Sequence, residues 1–287
     1  MTLPTFEVLR PETLVEALRW LNAQPEACLI AGGTNLIPDA RSGKLEPETV
    51  IDLSLVQELR GIRVSDEEVR IGACTTIAEL LDHSELAKVA PVLTAAARTF
   101  ANTLIRNRAT VGGNLANNAP CADTAPALLV LDAEVELARE DGVRRLLLDD
   151  FLTDPFETRR ERDEILTAVT FPIPPAGSIG KFQKMGLRKI SCMAKVDVAI
   201  QLTFEDGECS EARIALAAAA PVAVRARDAE TEIEGEKLTP DVIERTAEFA
   251  AQAAVPRSGS EYKQQVVSGL VKRLLQEIAE EVGGMGG

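Results

Sequence analysis

Thr110-Val111-Gly112-Gly113-Asn114, inside the longer run Ile105-Arg106-Asn107-Arg108-Ala109 to Leu115-Ala116-Asn117, decides how this sequence is read. It breaks a helical pattern over 84–100 that is itself interrupted at Pro91. Paired glycines reach backbone angles closed to other residues and carry no Cβ to hold a ligand away. Their exposed N–H groups suit an anion-binding nest. The glycines sit among amides, Asn107, Asn114, Asn117 and Asn118, with Asp123 just beyond. Many donors with few charges suit a diphosphate and a ribityl chain, and Asp123 is placed to accept bonds from hydroxyls. The same residues also suit an asparagine-rich loop that satisfies its own backbone.

A second glycine pair lies earlier, in Ala31-Gly32-Gly33-Thr34-Asn35, directly after the apolar strand Cys28-Leu29-Ile30-Ala31. By itself such a pair reads first as a plain turn. Two of them in one chain fit a dinucleotide, which is long enough to need two anchors. Neither is a Gly-x-Gly-x-x-Gly fingerprint, and the chain has no Gly-x-x-x-x-Gly-Lys loop, so a dinucleotide here is held by some other fold.

Working outward, Thr13 with Glu16 and Thr76 with Glu79 have capping-box spacing and predict helices over 13–23 and from 77 onward. Val50–Leu53, Val69–Gly72 and Glu134–Ala138 read as strands. Three prolines and two glycines over Phe171–Gly180 mark a domain boundary. Beyond it, Ala194–Phe204 and Cys209–Ala219 flank Asp206-Gly207, a hairpin signal. Thr239-Pro240 opens a helix over 240–253. A last helix over 261–282 carries Val266, Leu270, Leu274 and Ile278 as one stripe. The glycines from Gly283 on predict a disordered tail over 284–287.

The 287 residues give room for two domains with buried cores. With 46% apolar and 26% charged residues, the balance is that of an ordinary globular protein. A formal net charge of -14 sets the chain against nucleic-acid phosphates and anionic lipid. No apolar run reaches the length of a membrane span. The opening Met1–Leu14 lacks the pattern of a signal peptide. The five cysteines, Cys28, Cys74, Cys121, Cys192 and Cys209, are scattered, and His83 is the one histidine. They form no metal motif and read as small buried hydrophobes in a reducing cytoplasm.

The two glycine motifs with their flanks closely resemble the FAD-binding subunit of the molybdenum hydroxylases, the family of xanthine dehydrogenase and of the medium chain of aerobic carbon monoxide dehydrogenase. The resemblance runs along nearly the whole chain. Ala119-Pro120-Cys121-Ala122-Asp123 is similar to the family's Pro-Ala-Ala-Asp segment, Lys184 with Arg188-Lys189 to its Lys-x-x-x-Arg strand, and Tyr262–Leu275 to its C-terminal helix. It implies an α+β fold. A two-lobed FAD-binding domain of the vanillyl-alcohol oxidase type would span 1–175, with lobes of about 1–55 and 56–175. A smaller domain of antiparallel sheet and helices would follow over 176–283.

It also implies roles. Ala31, Gly32, Gly33, Thr34, Asn35 and Leu36, with Thr110, Val111, Gly112, Gly113 and Asn114, would wrap the pyrophosphate and ribityl chain of FAD, in a cleft between the lobes. Asp123 would bond FAD hydroxyls. Ile165 and Leu166 would pack near the adenine or flavin ring. Lys184 would sit at the ring's polar edge, where a cation favours negative charge; its other reading is a solvated strand lysine. Where carbon monoxide dehydrogenase relatives place an aromatic residue near the ring, this chain has Met193, beside Ser191 and Cys192, so no aromatic stack is expected from that position. Met193 reads equally as core packing. Benzoyl-CoA-type relatives carry an inserted iron–sulfur loop, and no cysteine cluster supports one here.

Function follows from the resemblance. Electrons would pass from the molybdenum cofactor of a molybdopterin-binding large subunit, through [2Fe-2S] clusters of a small subunit, to this chain's FAD, and on to NAD or another acceptor. No catalytic side chain and no metal is assigned to the chain itself. His83 reads as a helix-boundary residue. Arg159, Arg160 and Arg162, among Glu157, Glu161, Asp163 and Glu164, read as a solvated, self-paired charge run. Arg106 and Arg108 suit a phosphate or a partner surface. Two rival readings stand: a self-sufficient FAD-dependent reductase on the same fold, which needs its own acid and substrate pocket, and a degenerate scaffold, which the intact glycine pairs and Asp123 oppose.

Overall fold

A computed structural model describes residues 3–188, 192–255 and 259–285. The chain begins with a small parallel sheet. Strand β1 (Glu7–Leu9) leads to helix α1 (Leu14–Ala23), strand β2 (Cys28–Ile30), helix α2 (Leu36–Ser42) and strand β3 (Thr49–Asp52). The sheet order is β1-β3-β2, with both neighbours parallel to β3. Thr13 caps α1 by accepting from the Glu16 N–H, while the Glu16 carboxylate reaches back to Glu12 rather than to Thr13. The helix buries Ala17, Leu18 and Leu21 against Ile51 and Leu53. This core does not stop at the first lobe. Cys74, Ala138 and Ile165 of the next lobe belong to it.

The second lobe opens with β4 (Ile62–Val64) and β5 (Glu68–Gly72). Six short helices follow: α3 (Ile77–Asp82), α4 (Ser84–Val89), α5 (Pro91–Thr99), α6 (Thr103–Arg106), α7 (Val111–Asn117) and α8 (Thr124–Leu129). Then come β6 (Glu134–Arg139), β7 (Gly142–Leu147), α9 (Leu148–Phe151), the small pair β8 (Leu152–Asp154) and β9 (Glu157–Thr158), and β10 (Ile165–Pro172). Five of these strands form an antiparallel sheet in the order β4-β5-β10-β6-β7. Thr76 and Glu79 complete a capping box at α3, and Pro91 occupies the first turn of α5. His83 is a helix-boundary residue, its Nδ1 accepting from the Leu86 N–H at 3.1 Å. The helices lie over the sheet around a core that includes Ile77, Leu93, Leu115 and Leu128.

The last part is a four-stranded antiparallel sheet, β11 (Ile179–Gly186), β12 (Ala194–Glu205), β13 (Glu208–Ala217) and β14 (Val224–Arg225), in sequential order. Asp206 and Gly207 both have positive φ, 52° and 82°, as a tight β12–β13 hairpin demands. Helices α10 (Arg227–Ile233), α11 (Pro240–Gln252) and α12 (Ser260–Met285) cover one face. The buried residues of α12 are Val267, Val271, Leu274, Leu275 and Ile278, so the expected stripe through Val266 and Leu270 is rotated; those two are only partly buried. The helix also continues through Met285, past the point where glycines predicted a tail. Gly286 and Gly287 lie outside the described residues.

Candidate functional site

The first two lobes leave a cavity of about 530 Å³ between them, within the size range of small-molecule sites. Its walls are the end of β2 with the turn that follows, the N-terminal end of α7, and the start of β10. Apolar surface comes from Leu53, Phe100, Ile165 and Leu166. Of the residues expected here, 31–36, Thr110, Gly112, Gly113, Asn114, Ile165 and Leu166 line the cavity.

The four glycines serve different ends. A Cβ at Gly32 would lie 1.9 Å from the Arg108 carbonyl oxygen, and one at Gly112 would lie 2.5 Å from the Ala73 Cβ and 2.8 Å from its carbonyl oxygen. These two glycines let backbone segments meet at the cleft. Gly33 has φ of +71°, which favours glycine. A Cβ at Gly113 meets only Thr110 Oγ1, at 2.8 Å, and otherwise open space on the cavity side.

Gly112-Gly113 is not a turn, a correction to the sequence reading. Thr110 caps α7, and neither glycine has positive φ. The N–H groups there are already engaged. Val111 donates to Thr75 O, Gly112 to Ala73 O and Asn114 to Thr110 O, at 2.9–3.0 Å, and Gly113 donates to Thr110 Oγ1 at 3.1 Å. The open donors belong to the first motif. Among the described residues, none accepts from the backbone N–H of Gly33, Thr34, Asn35 or Leu36. Asn114 Oδ1 accepts from Thr124 Oγ1 at 2.6 Å, which fixes the amide at the cavity wall.

Arg160 also lines the cavity, correcting its reading as part of a solvated run. Its guanidinium donates to Glu164 O at 2.8 Å and to Glu161 O at 3.0 Å. Burial, partly offset by Glu164 and Asp163, holds its pKa below that of a free arginine. Glu164 is 1% exposed and takes a two-point ion pair from Arg144, at 2.5 and 2.9 Å. Burial opposes its charge, but the Arg144 bonds and a backbone N–H outweigh it and keep the carboxyl below the usual range. Arg162 pairs with Glu26 at the surface. Arg108 donates to Gly32 O at 3.4 Å, and Arg106 bonds Phe100 O, so both arginines are used in joining segments.

Four expected residues lie elsewhere. Val111 is fully buried in the core behind the cavity. Met193 is 79% exposed, which overturns core packing for it as well. Asp123 and Lys184 are absent from the cavity wall because each satisfies the other: Lys184 Nζ lies 2.7 and 2.8 Å from the two Asp123 oxygens, both side chains buried. Lys184 is therefore not a solvated strand lysine. Ser191 and Lys189 fall outside the described residues. Phe100 was not singled out in the sequence, and its one signal, an aromatic residue closing a helix before an Asn-rich loop, is weak. The cleft fits an elongated dinucleotide: a row of N–H groups without acceptors among the described residues, an unsubstituted glycine in the same cavity, a cation, and apolar surface.

The family described as "FAD binding domain in molybdopterin dehydrogenase" matches residues 4–174, and that described as "CO dehydrogenase flavoprotein C-terminal domain" matches 181–278. The xanthine dehydrogenase FAD-binding subunit of Escherichia coli O157:H7 is 32% identical over 281 residues, covering 96% of each chain. The nicotine 6-hydroxylase medium subunit of Paenarthrobacter nicotinovorans is 31% identical, covering 96% of this chain and 98% of that protein. A chain of carbon monoxide dehydrogenase from Hydrogenophaga pseudoflava superposes with a TM-score of 0.92 at 30% identity, covering 95% and 96%.

Proposed function

Because this chain belongs to the FAD-binding subunits of the molybdopterin dehydrogenases, we propose that it carries electrons from iron–sulfur clusters of a partner subunit, through FAD in the interlobe cleft, to NAD or another acceptor. Its partners are then a molybdopterin-binding large subunit and a [2Fe-2S] small subunit, assembled in the cytoplasm. Among the described residues, no helix is long and apolar enough to cross a membrane. FAD, when bound, supplies the electron-accepting and electron-donating chemistry. The chain's residues bind it, orient it and exclude water.

In this reading Ala31–Leu36 give the diphosphate its N–H donors, with Arg160 as the nearby cation. Thr110, Gly112, Gly113 and Asn114 line the same cavity and lie against the ribityl chain. Ile165 and Leu166 pack on a ring. Asp123 and Lys184 act from behind the wall as one ion pair, since Lys184 Nζ reaches Thr99 O, next to Phe100, at 3.5 Å. The division at about residue 175, with lobes near 1–55 and 56–175, belongs to the same reading; the two matched ranges support it.

The observation that carries the proposal is the row of N–H groups from Gly33 to Leu36 that find no acceptor among the described residues, in the cavity that Gly113 also lines. The purified chain should be yellow or take up added FAD stoichiometrically, and Gly113→Val should stay folded and colourless. Turnover of an organic substrate with NADPH by the chain alone would replace this reading with that of a self-sufficient reductase.

A further inference from the structure

Asp197 is a buried acid that no motif in the sequence marks. It lies on β12 directly opposite Lys184 on β11 and is fully buried. Neither of its carboxyl oxygens receives an N–H or O–H donor among the described residues. An ionised carboxylate in that position has lost its water and gained nothing in return, which is costly. The charge of Lys184 relieves it only in part, because the ammonium's hydrogen bonds go to both oxygens of Asp123.

The carboxyl nearest to hand is that of Asp123, held by the same Lys184 that stands opposite Asp197 in the strand register. Two carboxylates bond each other only when a proton lies between them, and two adjacent buried carboxylates do not both ionise. Asp123 faces the cation, so the proton belongs on Asp197. The other groups around it leave this unchanged. β13 presents Ala217 opposite. Cys121 stays a neutral thiol, its pKa raised by burial and then by Asp123 and Asp197. Cys192 adds to the push on Asp197 toward its protonated form, after burial and Asp123. On α5 the one ionisable side chain, Arg98, is exposed, and on α12 Lys263 donates to Ala218 O.

We propose that Asp197 is a neutral carboxylic acid that donates its O–H to Asp123, and so is the positioning residue that locks Asp123 and Lys184 into one uncharged unit behind the cleft. The cluster then holds one cation, one anion and one proton. Asp123 is oriented from both sides, by the ammonium and by the acid. The role of the cluster at the cleft rests on the FAD reading above, whereas the protonation itself does not.

The test uses the full chain with and without FAD. Infrared spectra at neutral pH should show the carbonyl stretch of a protonated carboxylic acid, lost in Asp197→Asn and in Asp123→Asn, where Asp197 ionises against Lys184. Folding should take up one proton in the neutral range. The unfolding constant of the wild type should therefore rise about tenfold per pH unit more steeply than that of Asp197→Asn. With FAD bound, Asp197→Asn, which still donates, should keep the wild-type flavin spectrum, and Asp197→Val should shift it. Absence of the acid band in the wild type, or its survival in Asp197→Asn, overturns the proposal even if a variant misfolds. Equal shifts in the Asn and Val variants would overturn the positioning role. A wild-type chain that shows the band but refuses FAD sinks the reading of the cleft and leaves the shared proton standing.

Discussion

Gly32 and Gly113 are alike in sequence and opposite in duty. A methyl group at Gly32 collides with the Arg108 carbonyl, a backbone atom that cannot swing aside. Gly32→Ala should therefore cost about 1–3 kcal/mol as an overpacked contact and lose melting temperature and flavin together. At Gly113 the added methyl meets Thr110 Oγ1 and otherwise points into the cavity. Alanine also favours a helix by about 1 kcal/mol over glycine, so Gly113→Ala should keep its melting temperature while the flavin-to-protein absorbance ratio falls. Glu164 gives a separate check through pH. Its folded carboxyl titrates below the ordinary range, so its stabilisation is present above the unfolded value of about 4.3. It is lost as pH falls through the lower folded value. Urea unfolding from neutral to acid pH should show a steeper acid loss for the wild type than for Glu164→Gln, because the glutamine has no proton to take up.

Among elements, α12 shows how far periodicity reaches. A row spaced by four residues, Val266 to Ile278, drifts around a helix that turns once in about 3.6 residues. The face that packs mixes spacings of three and four: Val267, Val271, Leu274, Leu275 and Ile278. Leu275→Ala should cost about 2–5 kcal/mol in urea unfolding, as for a fully buried leucine, and Leu270→Ala less than half as much. Where local chemistry suffices, the sequence was legible: the Thr76–Glu79 capping box, Pro91 at the start of α5 and the Asp206-Gly207 hairpin all stand in the structure. Helix α7 was not, because two of its seven residues are glycines and its first N–H groups bond Thr75 and Ala73 rather than its own turn. Strand β7, with Arg144 and Arg145 at its centre, was hidden by charges paired to Glu164 and Glu136 from neighbouring segments. Arg160 was hidden in the same way: the acids around it read as solvated partners, and only the folded chain brings Arg160 to the wall of the cleft. The first half of the site was readable because Gly33 answers to a local backbone need, its positive φ; the Gly32–Arg108 approach and the Asp123–Lys184 pairing depend on residues brought together across the fold.

At the scale of the molecule, the lobes that form the cleft share their interior. The core under the parallel sheet joins Leu21 and Ile51 to Cys74, Ala138 and Ile165. The main core joins Leu115 and Leu128 to Ala199, Ala215 and Ala217 of the last sheet. No part can open without exposing apolar surface that belongs to another, so the chain should unfold as one unit. A ligand bound between the first two lobes then stabilises all of it by mass action, about 2.7 kcal/mol when free FAD stands at 100 times its dissociation constant. Trp20, the one tryptophan, lies on α1 of the first lobe and reports it alone, whereas far-ultraviolet circular dichroism reports every helix and sheet. Thermal unfolding followed by the two signals should coincide without FAD and shift upward together when FAD is added. An earlier Trp20 transition in the absence of FAD would mean that the first lobe swings free, and that the cleft is assembled by the cofactor rather than built beforehand by the shared core.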